Sequence, residues 1–105
     1  MQIELYIEGE KKLFSVPYVP MLARRKYYEL MAEAEQNKEE PTHKQILKEE
    51  DDLHSILSDI VFRNQFTLEQ LYLGASKEHV DEKLQEAIFG IKSKKEEDEG
   101  NDEGK

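Results

Sequence analysis

The chain opens on alternation. Between Gln2 and Glu8, Ile3, Leu5 and Ile7 alternate with Glu4, Tyr6 and Glu8. A period of two is the signature of a half-buried strand. Gly9-Glu10 follows, and glycine at the first central position suits a type II′ hairpin turn. A two-residue loop there pairs Glu8 with Lys11, Tyr6 with Leu13, Leu5 with Phe14 and Ile3 with Val16. That register gathers Ile3, Leu5, Ile7, Phe14 and Val16 on one apolar face, with only Lys12 misplaced. An isolated hairpin is marginal in water, so this face needs helices to cover it. Pro17 and Pro20 end the second strand, because proline cannot donate to a ladder.

From Met21 the period changes to that of a helix. Tyr27, Leu30, Met31 and Ala34 fall at i, i+3, i+4 and i+7, which predicts a helix to about Asn37 with one apolar stripe. Arg24, Arg25 and Lys26 crowd its first turn, where the helix dipole disfavours cations; they form either a solvated basic turn or a contact surface. After a polar linker, Thr42 and Gln45 have the spacing of a capping box. A second helix follows from His43 to about Asn64, roughly 33 Å at the standard rise. Ile46, Leu53, Ile56, Leu57 and Ile60 form its stripe, broadened by Val61 and Phe62, with Ser55 and Ser58 on a polar flank. Thr67 and Gln70 repeat the capping box, and Phe66 and Leu71 are spaced for a hydrophobic staple. Gly74 is placed to stop a short third helix, as glycine does at C′. Ser76 caps a fourth helix, with Val80, Leu84, Ala87, Ile88 and Ile91 along one face and Phe89 off it.

The predicted architecture is α+β, mainly α: an N-terminal β-hairpin packed on a bundle of three to four helices. It occupies residues 1–91 as a single domain. Residues 92–105 contain no apolar side chain and cannot offset their ordering entropy, so a disordered charged tail is expected.

Composition narrows the function. Charged residues make up 37% of the 105, and 24 acids against 15 bases leave a net charge of −9. Phosphate repels such a surface, which disfavours nucleic acid as a partner. There is no cysteine, so disulfide and thiolate chemistry are excluded. The N-terminal residues lack the pattern of a secretory signal, and no apolar run approaches the ~20 residues that span a bilayer. The histidines His43, His54 and His79 share no metal-ligand spacing. His54 has Glu50 four residues before it but no evident third ligand. No glycine pattern cradles a phosphate, and Asp51-Asp52 begins no calcium loop. Neither catalysis nor any cofactor or metal is expected.

The segment from Phe62 to Gly74, with Asn64-Gln65-Phe66-Thr67 leading into a short acidic helix, resembles the tail assembly chaperones of long-tailed phages of Gram-positive bacteria. The ending Leu84-Gln85-Glu86-Ala87-Ile88-Phe89-Gly90, the opening strand pair and the Pro17–Pro20 lead into a helix are similar to that family too. The resemblance implies a protein that binds the tape measure protein in the host cell cytoplasm and keeps it soluble. It also implies help in recruiting the major tail protein, and departure before the virion is mature. Partner-binding candidates are Met21, Tyr27, Tyr28, Met31, Leu73 and Phe89; methionine and tyrosine offer adaptable contact area, although the Tyr27 and Met31 stripe also has the spacing of ordinary core. A homo-oligomer is possible, since the long second helix can pack within its chain or between copies. The competing reading, drawn from the net charge, is a small acidic inhibitor that mimics nucleic acid.

Overall fold

The structure is a computed structural model that describes residues 1–37 and 39–90. Strands β1 (Gln2–Ile7) and β2 (Glu10–Ser15) form an antiparallel hairpin. Helices α1 (Met21–Gln36), α2 (His43–Ser55), α3 (Leu68–Gly74) and α4 (Lys77–Phe89) follow, and α2 continues without a break into a π-helical segment, Ile56–Val61. The fold is therefore α+β and mainly α, as the periodicities predict. The expected tail and Ile91 lie outside the described residues.

The hairpin keeps its expected face but not its expected register. Ile3 pairs with Phe14, Leu5 with Lys12 and Ile7 with Glu10. The turn residues are Glu8 and Gly9, with φ of 53° and 83°. Two positive φ values define a type I′ turn, not the II′ turn expected one residue later. The slide moves every partner by two positions, so the same side chains remain inside. Ile3 and Leu5 are buried, Phe14 and Val16 half-buried, and Lys12 projects into water beside Glu10. The N-terminal ammonium of Met1 donates to the Val16 carbonyl at 3.0 Å, extending the ladder.

The second helix departs further from expectation. It does not run on to Asn64; its last six residues before Phe62 are wound as a π-helix, and the Phe62 N–H bonds to the Leu57 carbonyl, five residues back, at 2.9 Å. The widened turn places Ile56, Leu57, Ser58, Val61 and Phe62 all inside. Ser58, expected on a polar flank, is fully buried; its hydroxyl lies 3.0 Å from Asp59 Oδ1. Arg63 and Asn64 then adopt left-handed φ of 53° and 65° and end the helix. The Asn64 N–H closes on the Ser58 carbonyl at 2.7 Å.

The Phe62–Thr67 run is the joint of the fold. Gln65 Nε2 donates to the Ser15 carbonyl at 3.2 Å, tying the joint to β2. Phe66 is buried, edge-on to Phe14 at 5.1 Å and tilted on Phe62 at 5.4 Å. Thr67 starts α3 with the predicted capping box: its hydroxyl accepts from the Gln70 N–H at 3.1 Å, and Gln70 Oε1 accepts from the Thr67 N–H at 2.9 Å. Thr42 and Gln45 make the same exchange at α2. The Ser76 hydroxyl caps α4, which ends on left-handed Gly90.

Gly74 has a different task from the one its position suggests. It is the last residue of α3 and has no positive φ. A Cβ there would sit 2.6 Å from the Tyr6 carbonyl oxygen and 3.0 Å from the Tyr6 nitrogen. Glycine lets the end of α3 lie against the β1 backbone. Two residues back along β1, His79 Nε2 lies 3.1 Å from the Glu4 carbonyl oxygen, which can only accept; that nitrogen carries the proton and fixes α4 to the strand.

Candidate functional site

Helices α1 and α2 contribute little to the core. Ala23 is the one buried residue of α1, and α2 has none. The cause is visible in the sequence: from His43 to Asp52, Ile46 and Leu47 are the apolar residues among ten. The capping box holds that stretch helical, but it has too little apolar surface to draw α1 tight. The two helices leave a groove of about 480 Å³ between them.

Leu30, Met31, Ala34, Ile46 and Leu53 line the groove with apolar side chains, and Glu33, Glu49, Glu50 and Asp52 surround them with carboxylates. Lys48 is the lining cation among the described residues, and its Nζ is held by Asp52 at 2.9 Å. The hydrogen bond to Asp52 and that residue's charge raise the Lys48 pKa above its ordinary value, so the lysine stays charged and three carboxylates remain in excess.

Leu53 is a ridge shared by three hollows. On its far side a hollow of about 600 Å³ lies between α2 and the α3–α4 corner, bounded by Glu50, His54, Tyr72, Ala75, Val80 and Asp81. Below it a cleft of about 230 Å³ is lined by Tyr27, Leu84, Ile88 and Phe89. Tyr72 spans the larger hollow. Its hydroxyl donates to Asp51 Oδ1 at 2.8 Å, which leaves its oxygen to accept from His54 Nδ1 at 3.1 Å. Burial first, and then the Asp51 hydrogen bond and charge, push the Tyr72 phenol well above its ordinary pKa. The three residues form a strut from α3 to α2.

The structure sorts the sequence candidates into three groups. Tyr27, Tyr28 and Phe89 meet: Tyr27 is edge-on to Tyr28 at 5.2 Å and to Phe89 at 5.4 Å. Tyr28 and Phe89 remain exposed while Tyr27 is half-buried against the core. Met31, one turn beyond Tyr27, turns into the groove and is half-buried. Met21 and Leu73 stand apart, 87% and 79% exposed, and line none of these hollows. The stripe Tyr27, Leu30, Met31 and Ala34 is thus not a core stripe along its whole length; Ala34 is exposed, and the core side of α1 is anchored at Ala23. The basic turn carries Arg24 over the Tyr28 ring at 5.7 Å and Arg25 paired with Glu29 at 3.5 Å.

Sequence reasoning missed the α2 side of the groove. Ile46, which its spacing places on the stripe of the second helix, is 37% exposed, and Leu47 is 62% exposed. The available signal was the isolation of these two residues among charged neighbours inside a well-capped helix. Among the described residues no group of three or more His, Asp or Glu side chains is arranged to hold a metal ion, and no helix is long and apolar enough to cross a membrane.

A family model described as "Phage tail chaperone protein" matches residues 1–105. No curated protein and no solved structure matches the chain.

Proposed function

The chain belongs to the phage tail chaperone protein family, and from that premise we propose that it binds the tape measure protein, keeps it soluble and helps recruit the major tail protein during tail assembly. It acts in the host cell cytoplasm, catalyses no reaction and is absent from the mature virion. The observation that carries this reading is the pair of helices, α1 and α2, whose apolar side chains line an open groove instead of a core. A long helical client that exposes apolar stripes needs such a surface to shield them. The acidic surroundings then keep the loaded complex dispersed by like-charge repulsion. They also weaken the reading as a nucleic acid mimic, because here carboxylates frame an apolar floor, and a phosphate-like array has no use for one.

Co-production of the chain with a tape measure fragment tests the proposal. The fragment should move from pellet to supernatant and elute with the chain. A fragment that precipitates equally with and without it would defeat the reading, and displacement of DNA from a nuclease would favour the mimic instead.

A further inference from the structure

The groove between α1 and α2 has a length, a floor and a charge that together select one kind of occupant. Its lining runs from Leu30 to Asn37 on α1 and from Gln45 to Leu53 on α2, about two turns of each, or roughly 12–14 Å. The floor is formed by Leu30, Met31, Ala34, Ile46 and Leu53. An apolar channel of this length between two helices takes the apolar stripe of a third, with anchors spaced i, i+3 or i+4, and i+7. The charge fixes the character of that helix. Four carboxylates surround the floor, and the lining lysine is already paired with one of them. Three unneutralised carboxylates around a water-excluding contact repel an acidic helix and attract a basic one.

We propose that the α1/α2 groove is the seat of a basic amphipathic helix of the client, about two to three turns long, with lysine or arginine flanking its apolar stripe. This rests on the chaperone reading and deepens it: the client is recognised through helical segments carrying positive charge, and its acidic helices are passed over. Met31 is the adaptable contact at the centre, because its unbranched thioether side chain fits differing apolar anchors. Glu49 and Glu50 set the sign of the charge that is accepted.

The experiment uses the full chain and two synthetic fourteen-residue helices with identical leucines at i, i+4, i+7 and i+11, one flanked by lysines and one by glutamates. Fluorescence anisotropy of each labelled peptide should show the basic helix binding at least about tenfold more tightly. Ile46→Asp and the double change Glu49→Lys with Glu50→Lys should each weaken it about tenfold or more, whereas Leu13→Asp, on the exposed side of β2 and outside the groove, should leave it unchanged. Thermal melts by circular dichroism establish that the variants are folded; Met31→Asp is a second groove variant should Ile46→Asp not fold. Equal binding of the two peptides, or unchanged binding to the groove variants, overturns the proposal. So does sedimentation showing that the groove is filled by a second copy, through dimers that Ile46→Asp dissociates. A tape measure fragment that wild type and Ile46→Asp both keep soluble would overturn the groove assignment while leaving the chaperone reading intact. A fragment that neither protects would count against the reading itself.

Discussion

One continuous helical run, His43 to Val61, passes through two different environments. Its first thirteen residues bury no side chain; its last six bury Ile56, Leu57, Ser58 and Val61. Below the change lies the packed region: the inner face of the hairpin, the π-segment, Phe62, Phe66, Leu71 and the inner face of α4. Above it lies an arm of helix held by its capping box, by the Tyr72 strut and by sparse contact with α1. The contrast shows that continuous hydrogen bonding does not imply uniform burial. Local opening follows burial, and elements that must yield to a partner come from the weakly buried end. A packed foundation with a loosely covered arm lets the groove between α1 and α2 stay open.

The sharpest way to break that comparison is to remove one side chain from each region. Phe62→Ala leaves a cavity at a fully buried site touching Phe66 and should cost about 3–5 kcal/mol. A domain of ordinary stability holds only about 5–15 kcal/mol, so the variant should be close to unfolding. Leu47→Ala, on the arm, should stay within about 0.5 kcal/mol of wild type. Urea denaturation measures both, and similar losses would mean that the arm is part of the cooperative core.

A smaller effect tests the foundation where backbone meets backbone. Gly74→Ala puts a methyl group 2.6 Å from the Tyr6 carbonyl oxygen. Neither side can yield by rotating a side chain, so α3 or β1 must shift. The expected loss is about 1–3 kcal/mol, although alanine is the better helix former. Gly90→Ala meets no atom and suffers only from its left-handed φ of 72°. Thermal melts of the two should rank Gly74→Ala as the more damaging. The reverse order would show that α3 has freedom to move away from the hairpin.

The two regions were not equally legible in the sequence. Caps were legible because they are local: Thr42, Thr67 and Ser76 each need only a partner three residues on. The hairpin face was legible and its register was not, for one reason. A strand has period two, so a slide of two residues preserves every inside and outside position. Only the turn decides, and two consecutive positive φ values at Glu8 and Gly9 decided against the expected pairing. The π-segment left no sign, since Ile56, Leu57, Ile60 and Val61 also suit a wide α-helical face. For the candidate site, spacing put Tyr27 and Met31 on one stripe of α1, yet how far that stripe is covered depends on how closely α2 approaches. That distance is set by the scarcity of apolar residues from His43 to Asp52, a property of the partner helix, and period analysis of one helix cannot see it.

The smallest expected effect concerns the strut that joins the two regions. Tyr72 on α3 reaches across to Asp51 and His54 on α2. Because the folded state raises its pKa, the protonated phenol is favoured by folding. Its contribution is complete below the ordinary tyrosine pKa of about 10. It is lost as pH rises beyond that towards the folded value, since the unfolded chain then releases the proton first. In an alkaline titration followed by phenolate absorbance, one of the five tyrosines should ionise late, and Tyr72→Phe should abolish the late step. At neutral pH the same substitution should cost only about 0.5–1 kcal/mol, the low end for hydrogen bonds because the ring is partly exposed. That cost should appear as faster amide exchange in His43–Ser55 with little change in the π-segment. Should exchange instead rise equally in both, Tyr72 would belong to the foundation, and the boundary between the two regions would lie nearer Thr42 than Ile56.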